Sequence, residues 1–268
     1  MQHPSLIQKT LSAAIVACGT LVSTLALAGA CPAHYVDGRM PEIRNEKMNA
    51  ATRELCYGVF GVMHSGLTRT PLWSAEHLTA DNISAAQSLS RENTFHAEPQ
   101  LPASQRAELS DYARSGFDRG HMSPNGDMPD RDTQHESFTL ANMVPQNGDN
   151  NRHIWAGIEG AVRKMAKKEG DLYVITGPAF LGGNLQKIGN VLVPSHLYKL
   201  VYSPRQRAGA AYFIANESTS DYETLSIAEL ERRVGINLLP SLSAGEKENM
   251  LRLPKVKPRK NKRDDWSM

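Results

Sequence analysis

The chain has 268 residues, of which 40% are hydrophobic and 22% are charged, and its formal net charge is +2. This is the composition of an ordinary globular protein, with enough length for one substantial core and no need for a second domain. Because the net charge is so small, charge alone does not identify the protein as a nucleic-acid binder.

The first 30 residues are predicted to be a signal peptide. Lys9 is the one charged residue in this stretch, and an apolar run rich in small residues follows it. Residues 26–28 or 28–30 supply the small residues that precede a cleavage site. A retained membrane anchor and a lipoprotein site at Cys31 are the alternatives. We therefore expect an exported protein, periplasmic or secreted, with no membrane segment in its mature form.

Cysteine usage agrees with export. The chain has 3 cysteines, and Cys18 would leave with the signal peptide. The remaining pair, Cys31 and Cys56, is expected to form a disulfide that closes a loop of about 25 residues in an oxidising compartment. Two buried free thiols are the alternative.

The first half of the mature chain is predicted to hold two strands and an irregular segment. Residues 54–66 alternate in polarity and carry aromatic side chains, as a strand does. Residues 70–79 indicate a second strand, and Pro71 favours a place for it at a sheet edge. Residues 80–117 are polar and rich in turn-forming residues, which predicts irregular structure.

A short strand and a long helix are predicted next. Residues 136–146 indicate a strand that ends at Pro145. Residues 150–170 predict a helix, and Gly170 is well placed to end it. The helical spacing rests on apolar positions 154, 155, 158, 162 and 165.

Strands dominate the rest of the chain. Residues 171–180 predict a nearly continuous apolar strand that is broken at its Gly-Pro pair. Residues 190–203 and 208–216 predict two more central strands, and residues 226–240 predict a short helix that runs into a turn. No repeat or linker divides residues 31–254, so the chain is predicted to form one α+β domain.

The stretch SGFDRGHMSPNGDM, residues 115–128, has a composition that indicates a functional site rather than a purely structural segment. It places Asp118, Arg119 and His121 within four residues and bends at Gly120. A neutral imidazole, with an unperturbed pKa near 6.5, is suited to accept a proton at physiological pH. For Asp118 we expect a structural role, the orientation of this strand, rather than metal ligation.

The predicted helix carries a second polar set. Asn151, Trp155, Glu159 and Arg163 recur at every fourth position, so Asn151 and Glu159 share one side of the helix. Asn151 would lie in the first turn, where unpaired N–H groups favour anions. Each residue has a structural alternative: a helix cap for Asn151, an exposed ion pair for Glu159 with Arg163, and a core position for Trp155.

Three polar blocks therefore occur in a fixed order. The DRGH tetrapeptide at 118–121 precedes NMVPQ at 142–146, and Asn151, Trp155 and Glu159 follow on the helix. This order resembles the DNA/RNA non-specific endonucleases, a ββα-metal family that includes endonuclease G. The resemblance covers most of the mature chain. It implies a ββα-metal nuclease fold, in which helices flank a central and mostly antiparallel sheet.

The resemblance also implies the roles of the central residues. His121 would be the general base that deprotonates the attacking water, and Arg119 would bind phosphate and stabilise the transition state. Asn151 would be the direct metal ligand, and Glu159 would hold the waters of the metal. Because Mg²⁺ keeps most of its waters, one amide oxygen and the substrate phosphate can hold it without an acidic cage.

Three further residues are carried over with supporting roles. Asn142 would assist catalysis, although a satisfied turn amide is its structural alternative. Arg163 and Arg152 would bind the substrate, and for Arg152 a solvated helix residue is the alternative.

The sequence thus predicts an exported Mg²⁺-dependent endonuclease that hydrolyses phosphodiester bonds of DNA and RNA, with Mn²⁺ as the alternative metal. Its domain would span residues 31–254, and a basic tail would occupy residues 255–268. The run KVKPRKNKR in this tail has six basic residues in nine positions, which suits either a solvated tail or a phosphate-attracting arm. A non-catalytic nucleic-acid-binding protein on the nuclease fold is the alternative function. A homodimer and an inhibitor protein are the other expected partners.

Overall fold

The computed structural model of the protein describes residues 30–258. The predicted signal peptide, apart from Ala30, and residues 259–268 of the basic tail lie outside the described residues. No helix within residues 30–258 has both the length and the apolar character needed to cross a membrane. The cleavage site and the predicted domain boundaries stay predictions.

Strands and helices alternate along the described part of the chain. Strands β1 to β13 comprise, in chain order, Glu42–Ile43, Thr52–Cys56, Phe60–Ser65, Thr70–Thr79, Phe117–His121, Met143–Asn147, Asp171–Ala179, Lys187–Ile188, Val191–Leu192, His196–Ser203, Ala208–Ala215, Tyr222–Leu225 and Ile236–Asn237. Helices α1 to α7 comprise Ala80–Ala86, Leu109–Tyr112, Arg131–Ser137, Gly148–Asn150, Ala156–Glu169, Ile227–Val234 and Ala244–Glu248. One π turn, Asn151–Trp155, joins α4 to α5.

A central sheet of seven strands organises the molecule. Its strand order is β12-β11-β10-β7-β4-β3-β2, and every neighbouring pair is antiparallel. Three two-stranded sheets pair β1 with β13, β5 with β6 and β8 with β9. An antiparallel sheet with helices packed on it confirms the predicted α+β fold class.

Both faces of the central sheet are covered. Successive strand residues point to opposite faces, so Val174 and Ile175 enter different apolar clusters. Ile175 packs in the cluster that contains Leu230 of α6. Val174 packs in the cluster that contains Ile158 and Val162 of α5. Since burial of one such aliphatic side chain contributes about 1.5–3 kcal/mol, this stripe holds α5 against the sheet.

Residues 54–66 form a hairpin rather than the single predicted strand. β2 ends at Cys56 and β3 begins at Phe60, with a turn between them. The aromatic pattern continues through the turn because the rings of Tyr57 and Phe60 stack there, with centroids 4.5 Å apart. Sequence alternation therefore did not mark the turn.

The edge position predicted from Pro71 is wrong, because β4 is an internal strand. It pairs with β3 on one side and with β7 on the other. Pairing with β7 begins only at Ser74, and the register with β3 shifts between Met63 and His64. The missing N–H of Pro71 therefore falls where the ladder is already interrupted.

The segment predicted to be irregular, residues 80–117, contains the helices α1 and α2 and the start of β5. α1 is short, but it has a defined start, because the Thr79 hydroxyl accepts a hydrogen bond from the backbone N–H of Asn82 at 3.2 Å. Ile83 of α1 is fully buried. The prediction holds for the stretch between the two helices, where a single bridge at His96 is the one strand-like feature described.

The strand predicted over residues 136–146 is displaced. Its first residues belong to α3 and to a short 3-10 turn, and β6 begins only at Met143. Pro145 lies inside β6, opposite Arg119, rather than ending the strand. The β5–β6 sheet has only two strands, so both are edge strands and a proline is tolerated.

The predicted break in the strand over 171–180 is also absent, since β7 runs through Gly177 and Pro178. Gly177 is needed for close packing: a Cβ there would lie 2.6 Å from the carbonyl oxygen of Leu72 and would also collide with the Tyr198 hydroxyl. Residues 190–203 divide into β9 and β10, whereas β11 and α6 lie where they were predicted.

The helix predicted over residues 150–170 is present and begins slightly earlier, at Gly148. The Asn147 side chain caps it by accepting hydrogen bonds from two backbone N–H groups at 3.0 and 3.1 Å. Gly170 ends it with a φ of 85°, a left-handed conformation that favours glycine. Asn151 is therefore not the helix cap, which removes its structural alternative.

The predicted disulfide is present. Cys31 and Cys56 are bonded, with their Cα atoms 5.5 Å apart, and link the first turn of the described chain to the end of β2.

Replacing both disulfide cysteines, Cys31→Ser with Cys56→Ser, should lower the free energy of unfolding by about 3 kcal/mol, because the open chain gains loop entropy when it unfolds. Urea denaturation of the two proteins measures the difference. A reductant should shift the wild-type midpoint to that of the variant and leave the variant unchanged. Equal midpoints without reductant would contradict the prediction.

Candidate active site

The β5–β6 ribbon and the helix that follows it form the frame of the site. His121 lies opposite Met143 and Asp118 lies opposite Gln146 in the ribbon. The ribbon closes tightly at Gly120, where a Cβ would lie 2.6 Å from the Cβ of Gln146. Since the chain passes from β6 directly into α4, the order is strand, strand, helix, as a ββα fold requires.

A cleft of about 1090 Å³ lies over this frame. Within residues 30–258 its lining includes five arginines but only two carboxylates, Asp118 and Glu159, so the cleft favours anionic ligands. All but one of the seven predicted site residues line it, namely Arg119, His121, Asn151, Arg152, Glu159 and Arg163. The sequence did not identify four other lining residues, namely Arg91, Phe95, Arg114 and Asn125.

His121 is a buried, neutral base at the floor of the cleft. It is 7% exposed, and the ring centroids of Phe138 and Phe95 lie 4.9 and 5.7 Å from its own. Burial, followed by the charges of Arg91 and Arg119, lowers the pKa of His121 to about 3. Its Nε2 is buried and unpaired among the described residues, which leaves Nδ1 as the nitrogen that can take a proton from the cleft.

Two arginines flank His121, and each lies over an aromatic ring. The guanidinium of Arg119 lies 4.1 Å from the centroid of the Phe95 ring, and that of Arg91 lies 5.2 Å from that of Phe138. Neither forms a salt bridge with any residue in the described chain. Aromatic stacking positions a guanidinium without cancelling its charge, so both remain available to an anion.

Asp118 orients the predicted metal ligand. Its carboxylate accepts a hydrogen bond from Asn151 Nδ2 at 3.0 Å and another from Arg152 Nε at 2.9 Å. Because a carboxylate only accepts hydrogen bonds, this contact fixes which end of the Asn151 amide is nitrogen. The carboxylate therefore links β5 to the π turn, which confirms an orienting role for Asp118 and extends it to Asn151.

The residues present fit a single hard cation. None of the described residues donates a hydrogen bond to Asn151 Oδ1, so this amide oxygen is an unused acceptor in the cleft. Amide and water oxygens suit a divalent ion that keeps most of its hydration shell. Residues 30–258 contain no cluster of three or more His, Cys, Asp or Glu side chains that could hold a metal.

Glu159 and Arg163 are not the exposed ion pair that was the alternative for them. Both side chains are only 14% exposed, and they lie 4.0 Å apart. Arg163 also donates to Asp127 at 2.8 Å. Burial opposes the charge of Arg163, yet Asp127 and Glu159 raise its pKa. Arg163 thus ties the 3-10 turn Asn125–Asp127 to α5, and substrate binding by it stays a prediction.

Asn142 is a turn residue whose side-chain amide has all its hydrogen bonds satisfied, and it does not line the cleft. It is fully buried, and its Oδ1 accepts hydrogen bonds from Ser74 and from the backbone N–H of Ser123, at 3.0 and 2.9 Å. Its Nδ2 donates to two carbonyl oxygens, at 2.8 and 2.9 Å. These bonds hold the chain just after His121, and Asn142 does not line the cleft.

A polar layer that the sequence did not reveal lies beneath the helix. Glu76 is 1% exposed, and burial, followed by the nearby charge of Asp127, raises its pKa well above the usual range. Lys199 is also buried, donates to Thr176 at 2.6 Å and lies 5.6 Å from the Trp155 ring. Both residues occupy strands that look apolar overall, so no pattern marked them.

Arg91 and Phe95 were missed for a different reason. They lie in the segment predicted to be irregular, and without periodicity a loop residue cannot be placed in space. An arginine and an aromatic residue four positions apart were the one available signal.

Comparisons with known proteins agree with this geometry. The model of the DNA/RNA non-specific endonuclease family matches residues 41–245, well over half of the chain. A chain of the solved EndoG/EndoGI complex superposes with a TM-score of 0.64 and 26% sequence identity, covering 72% of this chain and 88% of that one.

Curated relatives are nucleases. Nuclease C1 of Cunninghamella echinulata var. echinulata is 37% identical over 65% of this chain and 77% of its own length. The mitochondrial nuclease of Saccharomyces cerevisiae is 33% identical over 68% of this chain and 64% of its own length. Nuclease EXOG of Danio rerio is 31% identical over 65% of this chain and 57% of its own length. The chain thus spans less than two thirds of the last two.

The His121 ring should stay neutral down to about pH 4, because its pKa is lowered to about 3. Histidine ring signals, followed by NMR during an acid titration and assigned with His121→Gln, measure this pKa. Arg91→Gln should raise it, since after burial the charge of Arg91 is the largest effect that opposes protonation. A wild-type value near 6.5 would contradict the described burial.

Proposed function

Since the chain belongs to the DNA/RNA non-specific endonuclease family, we propose that it is an exported, Mg²⁺-dependent endonuclease that hydrolyses phosphodiester bonds in both DNA and RNA. The observation that carries this proposal is the meeting of His121 and Asn151 in one arginine-rich cleft. The family implies a divalent metal ion, and Asn151 is the residue suited to hold it.

His121 is proposed as the general base. At neutral pH its buried imidazole is unprotonated, so Nδ1 can accept a proton from a water molecule as that water attacks phosphorus. The bond from phosphorus to the 3′-oxygen then breaks, and this oxygen takes a proton from a solvent water molecule, so that the products are a 3′-hydroxyl and a 5′-phosphate. The protonated imidazole of His121 afterwards returns its proton to solvent. The low pKa makes the imidazole a weak base in the free protein. A bound phosphate would raise this pKa by opposing the charges of Arg91 and Arg119.

The arginines are proposed to bind the phosphate. Arg119 and Arg91 form no salt bridge with a described residue, and their guanidinium groups lie beside His121, where negative charge grows on the equatorial oxygens during attack. Arg152 is exposed and is held by Asp118, which places a third charge at the rim of the cleft. Contacts of this kind carry no sequence information, which supports cleavage without sequence preference.

The metal ion would be held by Asn151, with Glu159 near its water ligands. When bound, a divalent ion supplies charge neutralisation at the phosphate and at the leaving oxygen. Asp118 keeps the amide oxygen of Asn151 available for it. Mg²⁺ is the proposed ion because the site offers oxygen atoms and few charges, and Mn²⁺ is the alternative.

Export is proposed from the predicted signal peptide and is supported by the Cys31–Cys56 disulfide, since such bonds persist in oxidising compartments. The protein would be periplasmic or secreted. An inhibitor protein is proposed as a partner, in view of the solved complex of EndoG with EndoGI. A homodimer stays a prediction.

The proposed function predicts plasmid cleavage that requires a divalent metal and is abolished by EDTA. His121→Ala should lower kcat about 10²- to 10⁴-fold, as the loss of a general base does. Asn151→Ala should raise the Mg²⁺ concentration needed for half-maximal activity. Gel assays with plasmid DNA and single-stranded RNA measure these effects.

His153→Ala is the matched control for these variants, because His153 lies on the same helical segment, is paired with Asp149 and does not line the cleft. It should keep wild-type activity. Wild-type protein that shifts DNA in a gel without cutting it under any divalent metal would contradict the proposal and indicate a non-catalytic binder.

A further inference from the structure

A second groove runs along the outer side of α5. Its volume is about 780 Å³, and it lies between this helix and the last described segment of the chain, residues 251–257, called the C-terminal strap below. The groove formed by α5 and the C-terminal strap is called the strap groove.

The C-terminal strap is fixed to the domain, even though composition marks its end as a solvated tail. Leu251 is buried, and Val256 packs against the apolar cluster beneath α5. Tyr212 donates a hydrogen bond to the carbonyl oxygen of Pro254 at 2.7 Å, and the backbone N–H of Val256 donates to the Tyr222 hydroxyl at 2.7 Å. The strap therefore presents its charged side chains from a defined position.

Contact between the C-terminal strap and α5 is close at Gly157. A Cβ at this position would lie 2.7 Å from Val256 Cγ1 and 3.0 Å from the carbonyl oxygen of Lys257. Gly160 and Ala161 also line the groove, so few side-chain atoms project from this part of α5 into it. A bulky ligand backbone can approach such a wall closely.

The strap groove carries an unpaired positive charge. Five exposed cations line it, and none forms a salt bridge with a described residue; they are Lys164, Lys168, Arg252, Lys255 and Lys257. Other exposed arginines of the domain, such as Arg205 and Arg207, are paired with glutamates. Among the described residues, Glu169 is the only carboxylate in the lining, and Arg205 already engages it.

The strap groove adjoins the candidate active site along α5. Arg163 lines both, and the two linings alternate along α5, with Ala156 and Glu159 in the cleft and Gly157 and Gly160 in the groove. From Ala156 to Lys168 the helix rises about 18 Å, which equals the length of about five base pairs along the axis of a DNA duplex. A polyanion that leaves the cleft can thus follow the groove.

We propose that the strap groove is a second binding track for the phosphodiester backbone of a long polynucleotide, separate from the scissile phosphate. The inference rests on the proposed function, because the polynucleotide is the substrate of the neighbouring cleft. A regular row of phosphates is the ligand that complements several unpaired cations in line. Long substrates gain affinity from the track, and substrates too short to reach beyond the cleft do not.

The test compares two variants that lose the same charge. The groove variant carries Lys164→Gln, Lys168→Gln, Lys255→Gln and Lys257→Gln. The control variant carries Arg44→Gln, Lys47→Gln, Lys187→Gln and Arg232→Gln, exposed positions that line neither the cleft nor the strap groove. Fluorescence anisotropy in EDTA measures the Kd of a 30-base-pair duplex over a range of salt concentrations. Cleavage of a dinucleotide with Mg²⁺ measures the cleft alone.

The groove variant should bind the duplex about 10-fold or more weakly, and the slope of log K against log salt should fall by about 3 to 4, one counterion release per lost cation. Its kcat/KM on the dinucleotide should stay within about twofold of wild type. An unchanged Kd, an equal loss in the control variant or an equal loss on the dinucleotide would overturn the proposal. Because binding is measured in EDTA, a protein that cuts nothing would refute the proposed function without deciding this test.

Discussion

The carboxylate of Asp118 is the contact on which the rest of the site depends. It accepts hydrogen bonds from Asn151 and Arg152 and so joins β5 to the π turn that opens the long helix. The proposed base, His121, and the proposed metal ligand, Asn151, are held by these two elements and lie 30 residues apart in sequence. Because the acceptor-only carboxylate takes the amide nitrogen, the amide oxygen is left for a cation. The Asp118 side chain thus holds β5 beside the π turn and determines which atom of the Asn151 amide faces a ligand.

Burial determines the protonation state of His121, the proposed base. Aromatic rings and two guanidinium groups surround His121 and favour its neutral form, while Asn142 holds the chain immediately after it. The same arginines that depress the pKa of the base are the groups suited to receive a phosphate. Charge that disfavours protonation in the free protein therefore becomes favourable once an anion occupies the cleft. The site is organised for a ligand that brings negative charge with it.

Local sequence predicted the fold class, the long helix and six of the residues that line the cleft, since periodicity and short motifs report on neighbouring positions. Local sequence gave wrong or missing predictions where contacts between residues distant in sequence determine the position of a side chain. Pro71 suggested an edge strand because the interruption of the ladder opposite it cannot be read from one segment. Asn142 is placed behind the cleft by contacts to Ser74 and Ser123, which are distant in sequence. Arg91 reaches the site from a loop that has no periodicity at all.

The central claim is that a single divalent ion sits on the amide oxygen of Asn151, in a cleft that otherwise offers few carboxylates. The most direct measurement is the anomalous difference map of a crystal of the protein soaked with Mn²⁺, which scatters strongly and binds the oxygen ligands that Mg²⁺ uses. The account predicts one strong peak in coordination contact with Asn151 Oδ1, and its loss in Asn151→Ala. A peak on the buried acids Glu76 and Asp127, with none at Asn151, would contradict it.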